Sequence, residues 1–380
     1  MRGGTGDERM AWQRAVARGF DPPPAPRTPV TLVRYGEIRE DPGPLPSGGV
    51  GVLLPTYVAR CDRAAQETAL GHLLDALDDV RRARPELPLT VWLGMQYGPG
   101  EQAEALDRLR GLTRSTAVPV VGFALPGPGK IRTINAALEL SRPLGHDGWL
   151  WTDDDVEFGP GCLARLVDRF HERGRTGAVG ARLVALPRAS ATSRTMDRVS
   201  GVTVPPGALP AAACMLVASD VLAGGIPARR LADDGHVLFE LLDPDAADPL
   251  HALEVVPDAH GSFYRVARTS DTLRRLRRSL YSHVTCTADY PWATARTYLT
   301  GTLFHGLWPL AAWDGSGGTV RGLKRWTVKA VHLTWFCAVA AQLAARGAAG
   351  RPLRQVAWGD EGDFRSPATE ARPAAAHTGR

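Results

Sequence analysis

Short apolar runs alternate with longer amphipathic segments through the first three quarters of the chain. The apolar runs predict buried strands, and the segments between them, with apolar residues every three or four positions, predict helices. The predicted strands span 50–54, 89–93, 118–124, 148–152, 178–184 and 252–256, with a further apolar segment at 211–218. The predicted helices span 62–84, 101–113, 130–141, 231–242 and 270–285. Strands that alternate with helices at this spacing predict parallel βαβ units and a doubly wound α/β sheet.

Composition divides the chain into four regions. Both ends are rich in Pro and Arg and are expected to lack a packed structure, whereas the third region is rich in Trp. The regions are a flexible N-terminal arm at 1–47, an α/β domain at 48–290, a Trp-rich helical C-terminal region at 291–350 and a disordered tail at 351–380. Within them we expect a short helix at 10–18, a polar loop at 185–210 and two C-terminal helices at 291–313 and 320–346.

The overall composition excludes several classes of protein. Of the 380 residues, 44% are hydrophobic and 22% are charged, which is typical of a soluble globular protein. The five cysteines are widely spaced and lack CxxC pairs, which argues against a disulfide framework and fits a reducing cytoplasm. The net charge of +5 is distributed through the chain, so no nucleic-acid partner is expected. We expect no signal peptide and no clear transmembrane helix.

Three consecutive carboxylates, Asp153, Asp154 and Asp155, follow directly after the apolar run 148–152. Ligands of doubly wound sheets bind at the carboxyl ends of the strands, where this cluster would lie. Placing several ionised carboxylates close together raises the electrostatic free energy unless a cation neutralises them. The carboxylates of Asp153 and Asp155 suit a divalent ion that also binds phosphate oxygens. An EF-hand loop is excluded because its sixth and twelfth positions would be Phe158 and Ala164. A solvated turn that caps the next helix remains an alternative.

Five segments follow one another along the α/β region: Val50–Tyr57, Gly129–Asn135, Asp153–Asp155, Leu231–Asp234 and Arg274–Arg278. Taken in order, they resemble the motifs of a family 2 glycosyltransferase of the GT-A fold, with the last in place of a Gln-(Gln/Arg)-x-Arg-Trp motif. The resemblance covers roughly residues 49–285 and implies a single Rossmann-like domain with a mainly parallel central sheet, followed by C-terminal helices.

The resemblance implies a role for each motif. Asp234 would be the general base, with Asp233 beside it. Donor-binding residues would be Pro55, Thr56, Tyr57, Gly129, Lys130, Asp153, Asp154, Arg274, Arg275 and Arg277. Metal ligands for Mg²⁺ or Mn²⁺ would be Asp155, Asp153 and His260. The implied reaction is inverting transfer of one sugar from a nucleotide-diphosphate sugar to an acceptor hydroxyl on a natural product, a lipid carrier or a glycan.

The residue types are compatible with these roles, although simpler interpretations exist. Gly129 would let the backbone approach an anion, and Lys130 would add charge at a helix start. A turn glycine with a solvated lysine would give the same pattern. Asp233 and Asp234 could be a helix cap, and His260 could be solvated. The arginines of 274–278 could form a solvated helix face.

The chain departs from the family pattern at three places. Val58 stands where Asn is usual, and Gly94–Gly98 replaces an acidic second-strand motif. The nucleotide base is therefore undefined, and Tyr57 or Tyr97 could stack on it. Arg278 is followed by Ser rather than Trp, and the leading Gln is missing, which favours transfer of a single sugar over polymerisation.

Two other functions and one location remain open at this stage. A nucleotidyltransferase would carry an Arg/Lys-containing, Gly-rich loop after its first strand, which this chain lacks. A catalytically inactive sugar-nucleotide-binding module would not need Asp153, Asp155 and Asp234. The residue pattern of the Trp-rich helices favours the interpretation that they pack against the domain or the acceptor site. Peripheral contact with the inner face of the membrane is the less favoured interpretation. The sequence leaves the oligomeric state undefined.

Overall fold

The computed structural model describes most of the α/β region and parts of both ends of the chain. The described residues are 9–22, 29–34, 37–41, 43–113, 117–127, 129–186, 209–211, 213–264, 269–305, 307 and 318–356. Most of the predicted polar loop at 185–210, most of the predicted disordered tail at 351–380, and Trp308 and Trp313 lie outside them.

The described residues form a ten-stranded sheet with helices on both faces. Its strands are β1 (Thr31–Arg34), β2 (Glu37–Arg39), β3 (Val50–Tyr57), β4 (Leu89–Tyr97), β5 (Val120–Pro126), β6 (Gly148–Thr152), β7 (Val156–Phe158), β8 (Ala178–Leu186), β9 (Cys214–Ala218) and β10 (Leu253–Tyr264). The helices are α1 (Ala11–Gly19), α2 (Arg63–Ala83), α3 (Gln102–Leu112), α4 (Lys130–Leu140), α5 (Cys162–Glu172), α6 (Asp233–Leu241), α7 (Thr269–Asp289), α8 (Trp292–Tyr298) and α9 (Gly318–Ala348).

The strand order is β2-β1-β5-β4-β3-β6-β9-β8-β10-β7. The four central strands β5, β4, β3 and β6 are parallel, as are β8 and β10. Strand β9 runs antiparallel between β6 and β8, and β1, β2 and β7 add antiparallel pairs at the edges. The predicted α/β fold with a mainly parallel central sheet is therefore confirmed.

The central strands are buried because helices cover both of their faces. Every residue of β4 is buried, and β3 is buried up to Thr56, as expected for strands of near-continuous apolar sequence. One face packs against α2, α3 and α5. The other packs against α4 and α6. Polar side chains are thereby confined to the strand ends, where β3, β4 and β6 reach the same edge.

The short helix predicted at 10–18 is confirmed as α1, whereas β1 and β2 were not expected within the arm predicted for residues 1–47. Leu32 and Val33 of β1 are buried, and β1 pairs with β5 at the edge of the sheet. Helix α1 packs closely on α9, since a Cβ placed on Gly19 would lie 1.8 Å from the carbonyl oxygen of Leu343. Local Pro and Gly content did not reveal these long-range contacts. The division of the chain at residues 48, 290 and 350 stays a prediction.

Helices α7, α8 and α9 follow the sheet, and α1 packs with them in a separate apolar cluster. Helix α8 ends at Tyr298 in a π-helical turn, so it is shorter than the helix predicted for 291–313. Helix α9 contains the stretch Trp326–Ala348, which is long and apolar enough to cross a membrane by length and composition. The sequence had led us to expect no such helix.

A buried ion pair joins these C-terminal helices to the segment that precedes α6. The carboxylate of Asp289, at the end of α7, accepts hydrogen bonds from Arg229 and Arg230. The side chains of Arg230 and Asp289 are 7% and 6% exposed. Since α6 begins with Asp233, this ion pair helps to fix the position of that residue.

Asp289→Asn is expected to lower the free energy of unfolding by about 3–5 kcal/mol, because it leaves a buried guanidinium without its counter-charge. Urea unfolding measures the loss. The matched control is Asp21→Asn, whose partner Arg354 is exposed and which should change stability by less than about 0.5 kcal/mol. If both variants lowered the free energy of unfolding by the same small amount, the structural role of Asp289 would be contradicted.

Candidate active site

The predicted acidic cluster lies at the carboxyl end of β6, in the short turn that leads to β7. Its backbone is held by the neighbouring strand β9. The hydroxyl of Thr152 donates to the carbonyl oxygen of Ala213 at 2.9 Å, and the amide of Asp153 donates to the same oxygen at 3.1 Å. Asp153, Asp154 and Asp155 are all partly buried. These contacts give the three carboxylates a defined position at the edge of the sheet.

Lys130, the first residue of α4, links this turn to the start of α6. Its ammonium nitrogen lies 2.8 Å from Oδ1 of Asp153 and 3.0 Å from Oδ2 of Asp233. Burial alone would lower the pKa of Lys130, but the charges of Asp153 and Asp233 raise it above its usual value. The lysine is therefore a fixed positive charge between two of the predicted site residues.

The surroundings of Asp155 disfavour the ionisation of its carboxyl group. Burial and the neighbouring charge of Asp153 raise the pKa of Asp155 to about 7, although the positive charges of Arg275 and Lys130 oppose that rise. Two carboxylates that destabilise each other's charge form a donor set that suits a hard divalent cation. Asp153 and Asp155 therefore fit the metal that the sequence implied.

Asp233 and Asp234 are the first two residues of α6 and differ in their surroundings. Asp233 is 3% exposed, and burial raises its pKa even though Lys130 stabilises its charge. Asp234 is only partly buried, and its Oδ1 accepts a hydrogen bond from the amide of Gly235 at 2.7 Å. The helix cap is Ala232, so neither carboxylate is the cap residue. Asp234 is thus the more accessible of the two.

The arginines of α7 divide into two groups. Arg275 acts electrostatically on Asp155, and Arg278 lies close enough to Asp233 and Asp234 for their charges to act on it. The Nε of Arg278 also donates to the carbonyl oxygen of Leu231 at 3.1 Å, two residues before Asp233. Burial lowers the pKa of Arg278, whereas Asp233 and Asp234 raise it. Residues 275 and 278 are three apart and therefore share one helix face.

Arg277 does not belong to this face. Like Arg275 it is exposed, but it lies on a different side of α7, with its guanidinium 5.7 Å from the ring centroid of Tyr281. Its contact with the donor stays a prediction. Arg274 is partly buried on the same helix, one residue before Arg275.

Gln96, at the end of β4, organises the turn that precedes Lys130. Its side-chain oxygen accepts a hydrogen bond from the amide of Gly129 at 2.7 Å, and its amide nitrogen donates to the hydroxyl of Thr133. Gly129 has a φ of 148°, which L-residues rarely adopt. The glycine predicted from the motif is therefore required by the backbone conformation at the start of α4.

The residues predicted to bind the donor at the end of β3 differ in their exposure. Pro55 lies within the strand, opposite Gly94, and Thr56 is buried with its hydroxyl accepting a hydrogen bond from Gln66 at 3.0 Å. Both residues fix the strand rather than present a side chain at its edge. Tyr57 is only partly buried and ends the strand, so it is the member of this motif best placed to contact a nucleotide.

His260 lies away from the acidic turn. Its carbonyl oxygen accepts a hydrogen bond from the amide of Gly159, which is four residues beyond Asp155 in the chain. Strands β7 and β10 run antiparallel there, so His260 lies roughly 13 Å from Asp155 along the strand direction. In the described part of the chain, no group of three His, Cys, Asp or Glu side chains is assembled around a common point. The structure therefore does not bring His260 to the metal ligands.

Gln96 was not predicted to belong to this site, and Arg278 was predicted only as part of the segment Arg274–Arg278. Its spacing singles it out, since it lies one helical turn after Arg275. The role of Gln96 depends on the close approach of β4 to Gly129, which no local pattern reveals. Asn135, a further motif residue, exchanges two hydrogen bonds with the backbone of Ile226 and so fixes the segment leading to α6.

Comparisons with other proteins give limited information. No protein-family model matches the sequence, and no curated protein is significantly similar to it. The chain is partly similar to mannosyltransferase PcManGT from Pyrobaculum calidifontis in complex with GDP-Man and Mn²⁺, with 20% identity, a TM-score of 0.45 and coverage of 89% of this chain and 93% of that one. It is also partly similar to S. aureus TarS 1-349 in complex with UDP-GlcNAc, with 13% identity, a TM-score of 0.39 and coverage of 80% and 88%. At these TM-scores, the similarities do not support an argument about function.

Proposed function

We propose that this protein is a metal-dependent, inverting glycosyltransferase of the family 2 type. It would transfer a single sugar from a nucleotide-diphosphate sugar to an acceptor hydroxyl. The observation that carries the proposal is the link made by Lys130 between the acidic turn after β6 and the carboxylates at the start of α6. The residues to which we assign donor binding and base catalysis therefore lie close to one edge of the sheet, where ligands of such sheets bind.

The donor would be held by residues from three parts of this edge. Asp153 and Asp155 would bind Mg²⁺ or Mn²⁺, which when bound would neutralise charge on the diphosphate leaving group. Arg275 and Arg278 would donate hydrogen bonds to the same diphosphate. Tyr57 would contact the nucleotide from the end of β3. These assignments retain the predicted donor site but replace Arg277 by Arg278 and omit His260 from the metal ligands.

Asp234 would act on the acceptor. Its partly exposed carboxylate would remove the proton of the attacking hydroxyl, while Asp233 stays paired with Lys130 and holds the turn in place. Attack from the side opposite the leaving group would invert the anomeric configuration. NMR analysis of the product's anomeric centre tests this, and retention would contradict the inverting mechanism.

The reaction is proposed to occur in the cytoplasm, in keeping with five widely spaced cysteines that lack CxxC pairs. The acceptor class, whether natural product, lipid carrier or glycan, is not fixed by the donor site.

The first test is titration calorimetry of nucleoside diphosphates that differ in their base, with Mn²⁺ and then with EDTA. Binding of one nucleotide that depends on the metal would support the donor site and define the base. Release of that nucleoside diphosphate from its sugar conjugates would then identify the donor sugar. Lack of binding by every diphosphate under both conditions would contradict the proposal.

Arg278→Ala is expected to weaken binding of the nucleoside diphosphate by about tenfold or more, because a charge-assisted hydrogen bond to the diphosphate is lost. Arg277→Ala, a matched change on the neighbouring residue, should weaken it by less than about twofold, because an exposed, solvated charge contributes little. Calorimetry on both variants gives the comparison. The reverse order of effects would restore Arg277 to the site.

A further inference from the structure

Helix α9 exposes an apolar surface that the described part of the chain leaves uncovered. Only 17% of the most apolar window within Trp326–Ala348 is buried. The exposed apolar residues are Leu323 at 59%, Trp326 at 39%, Val331 at 51%, Leu333 at 36% and Trp335 at 57%. With 3.6 residues per turn, Leu323 lies opposite the buried residues Phe336, Val339 and Leu343, and the other four exposed residues lie on the two flanks of the helix. We call these five exposed residues the α9 face.

The opposite side of α9 is fixed to the folded domain. Phe336, Val339 and Leu343 pack in the same cluster as residues of α1 and α7. Gly347 approaches α1 so closely that an added Cβ would lie 2.4 Å from the carbonyl oxygen of Ala15. A helix held along one side in this way is not surrounded by lipid, as a membrane-spanning helix would be. It is therefore suited to lie along a surface, with the α9 face turned outward.

The charge around this helix indicates which surface it fits. Residues 291–356 contain one acidic residue, Asp314, and eight basic residues. The basic residues are Arg296, Arg321, Lys324, Arg325, Lys329, Arg346, Arg351 and Arg354. This excess of seven positive charges is larger than the net charge of +5 of the whole chain. Helix α9 itself, from Gly318 to Ala348, contains no acidic residue.

We propose that the α9 face inserts into the surface of an anionic lipid bilayer. An apolar face with exposed Trp residues and surrounding Lys and Arg is the composition of an interfacial helix, because the apolar side chains leave water while the basic ones contact acidic headgroups. A second copy of this chain is a poorer occupant, since two helices without acidic residues would repel each other. The proposal reverses the preference for internal packing that the Trp pattern suggested.

Flotation of the full-length protein with lipid vesicles tests this proposal. We expect the protein to float with vesicles of phosphatidylcholine and phosphatidylglycerol, and to bind vesicles of phosphatidylcholine alone about tenfold more weakly. Raising the NaCl concentration should weaken the binding to the anionic vesicles. Equal binding to both kinds of vesicle, or none to either, would overturn the proposal.

A pair of double variants links binding to the α9 face. Val331→Ser with Trp335→Ser should lower the affinity for anionic vesicles by about tenfold or more, since it removes two exposed apolar side chains. The matched control is Ile38→Ser with Val184→Ser, which changes side chains that are 49% and 51% exposed elsewhere on the protein. The control should float like the unmodified protein. Equal effects of the two double variants would contradict the assignment.

Two further measurements separate the alternatives. Sedimentation velocity should show the same mass for the unmodified protein and for the Val331→Ser/Trp335→Ser variant. A dimer that dissociates in the variant would mean that a second copy covers the α9 face. Calorimetry with the nucleoside diphosphate should give the same affinity for the variant as for the unmodified protein, which keeps a failure of this proposal distinct from a failure of the proposed function.

Discussion

Asp155→Ala is expected to abolish the metal-dependent part of nucleoside diphosphate binding and to lower kcat/KM for sugar transfer by about a thousandfold. The carboxylate of Asp155 is partly buried beside Asp153, and the positive charges that act on it come from Arg275 and Lys130. Removing it would leave Asp153, already bonded to Lys130, as the remaining predicted metal ligand. The measurement is calorimetric titration with Mn²⁺ and with EDTA, followed by steady-state kinetics.

Asp155→Ala needs a control that distinguishes loss of metal binding from unfolding of the protein. Asp75→Ala removes an exposed carboxylate from α2, on the surface away from the strand ends. It should leave binding, turnover and the unfolding midpoint unchanged. Asp155→Ala should also unfold at an unchanged or higher temperature, because a carboxylate destabilised by its surroundings is removed. Unaltered metal dependence in Asp155→Ala would contradict the assignment of this residue as a ligand.

Much of the sheet could be predicted because each central strand is a continuous apolar run that is recognisable from its own residues. The apolar run at 148–152 coincides with β6, and the pattern at 130–141 nearly coincides with α4. Runs this apolar must be buried on both faces, which fixes them as inner strands of a sheet covered by helices. Strand β1 was missed because its burial depends on pairing with β5, which is distant in the sequence, and β2 is an exposed edge strand that pairs with β1.

In the candidate site, too, residues within local motifs could be predicted, whereas residues whose position depends on long-range contacts could not. Gly129, Lys130 and the acidic turn were identified because a strand end and a helix start both have local signatures. The structure brings Lys130 to Asp153 and Asp233, which are distant from it in the sequence, and no local pattern predicted these contacts. His260 was misplaced because the register of β10 against β7 decides its position, and that register is not encoded in a motif. Arg277 was chosen over Arg278 because the facing side of α7 was unknown.

Asp233 and Asp234 are adjacent in sequence, but their environments differ, and we propose a different role for each. A general base must reach the acceptor, so it needs an accessible carboxylate, and Asp234 is the more exposed of the two. Asp233 is buried and paired with Lys130, so its charge is already engaged in the structure. Substitution by Asn separates these tasks, because the amide keeps the shape of the side chain but loses the negative charge and the ability to accept a proton.

Asp234→Asn is therefore expected to lower kcat by about a thousandfold while the dissociation constant of the nucleoside diphosphate changes by less than about twofold. Asp233→Asn should instead weaken diphosphate binding and lower the unfolding midpoint, because Lys130 loses one of its two carboxylate partners. Kinetics with saturating donor, calorimetry and thermal unfolding distinguish the two patterns. Asp233→Asn could instead lose turnover while diphosphate binding and the unfolding midpoint stay unchanged. In that case the buried carboxylate of Asp233 would be the base. The role of Lys130 would then be to position that carboxylate for the acceptor rather than to join two parts of the donor site.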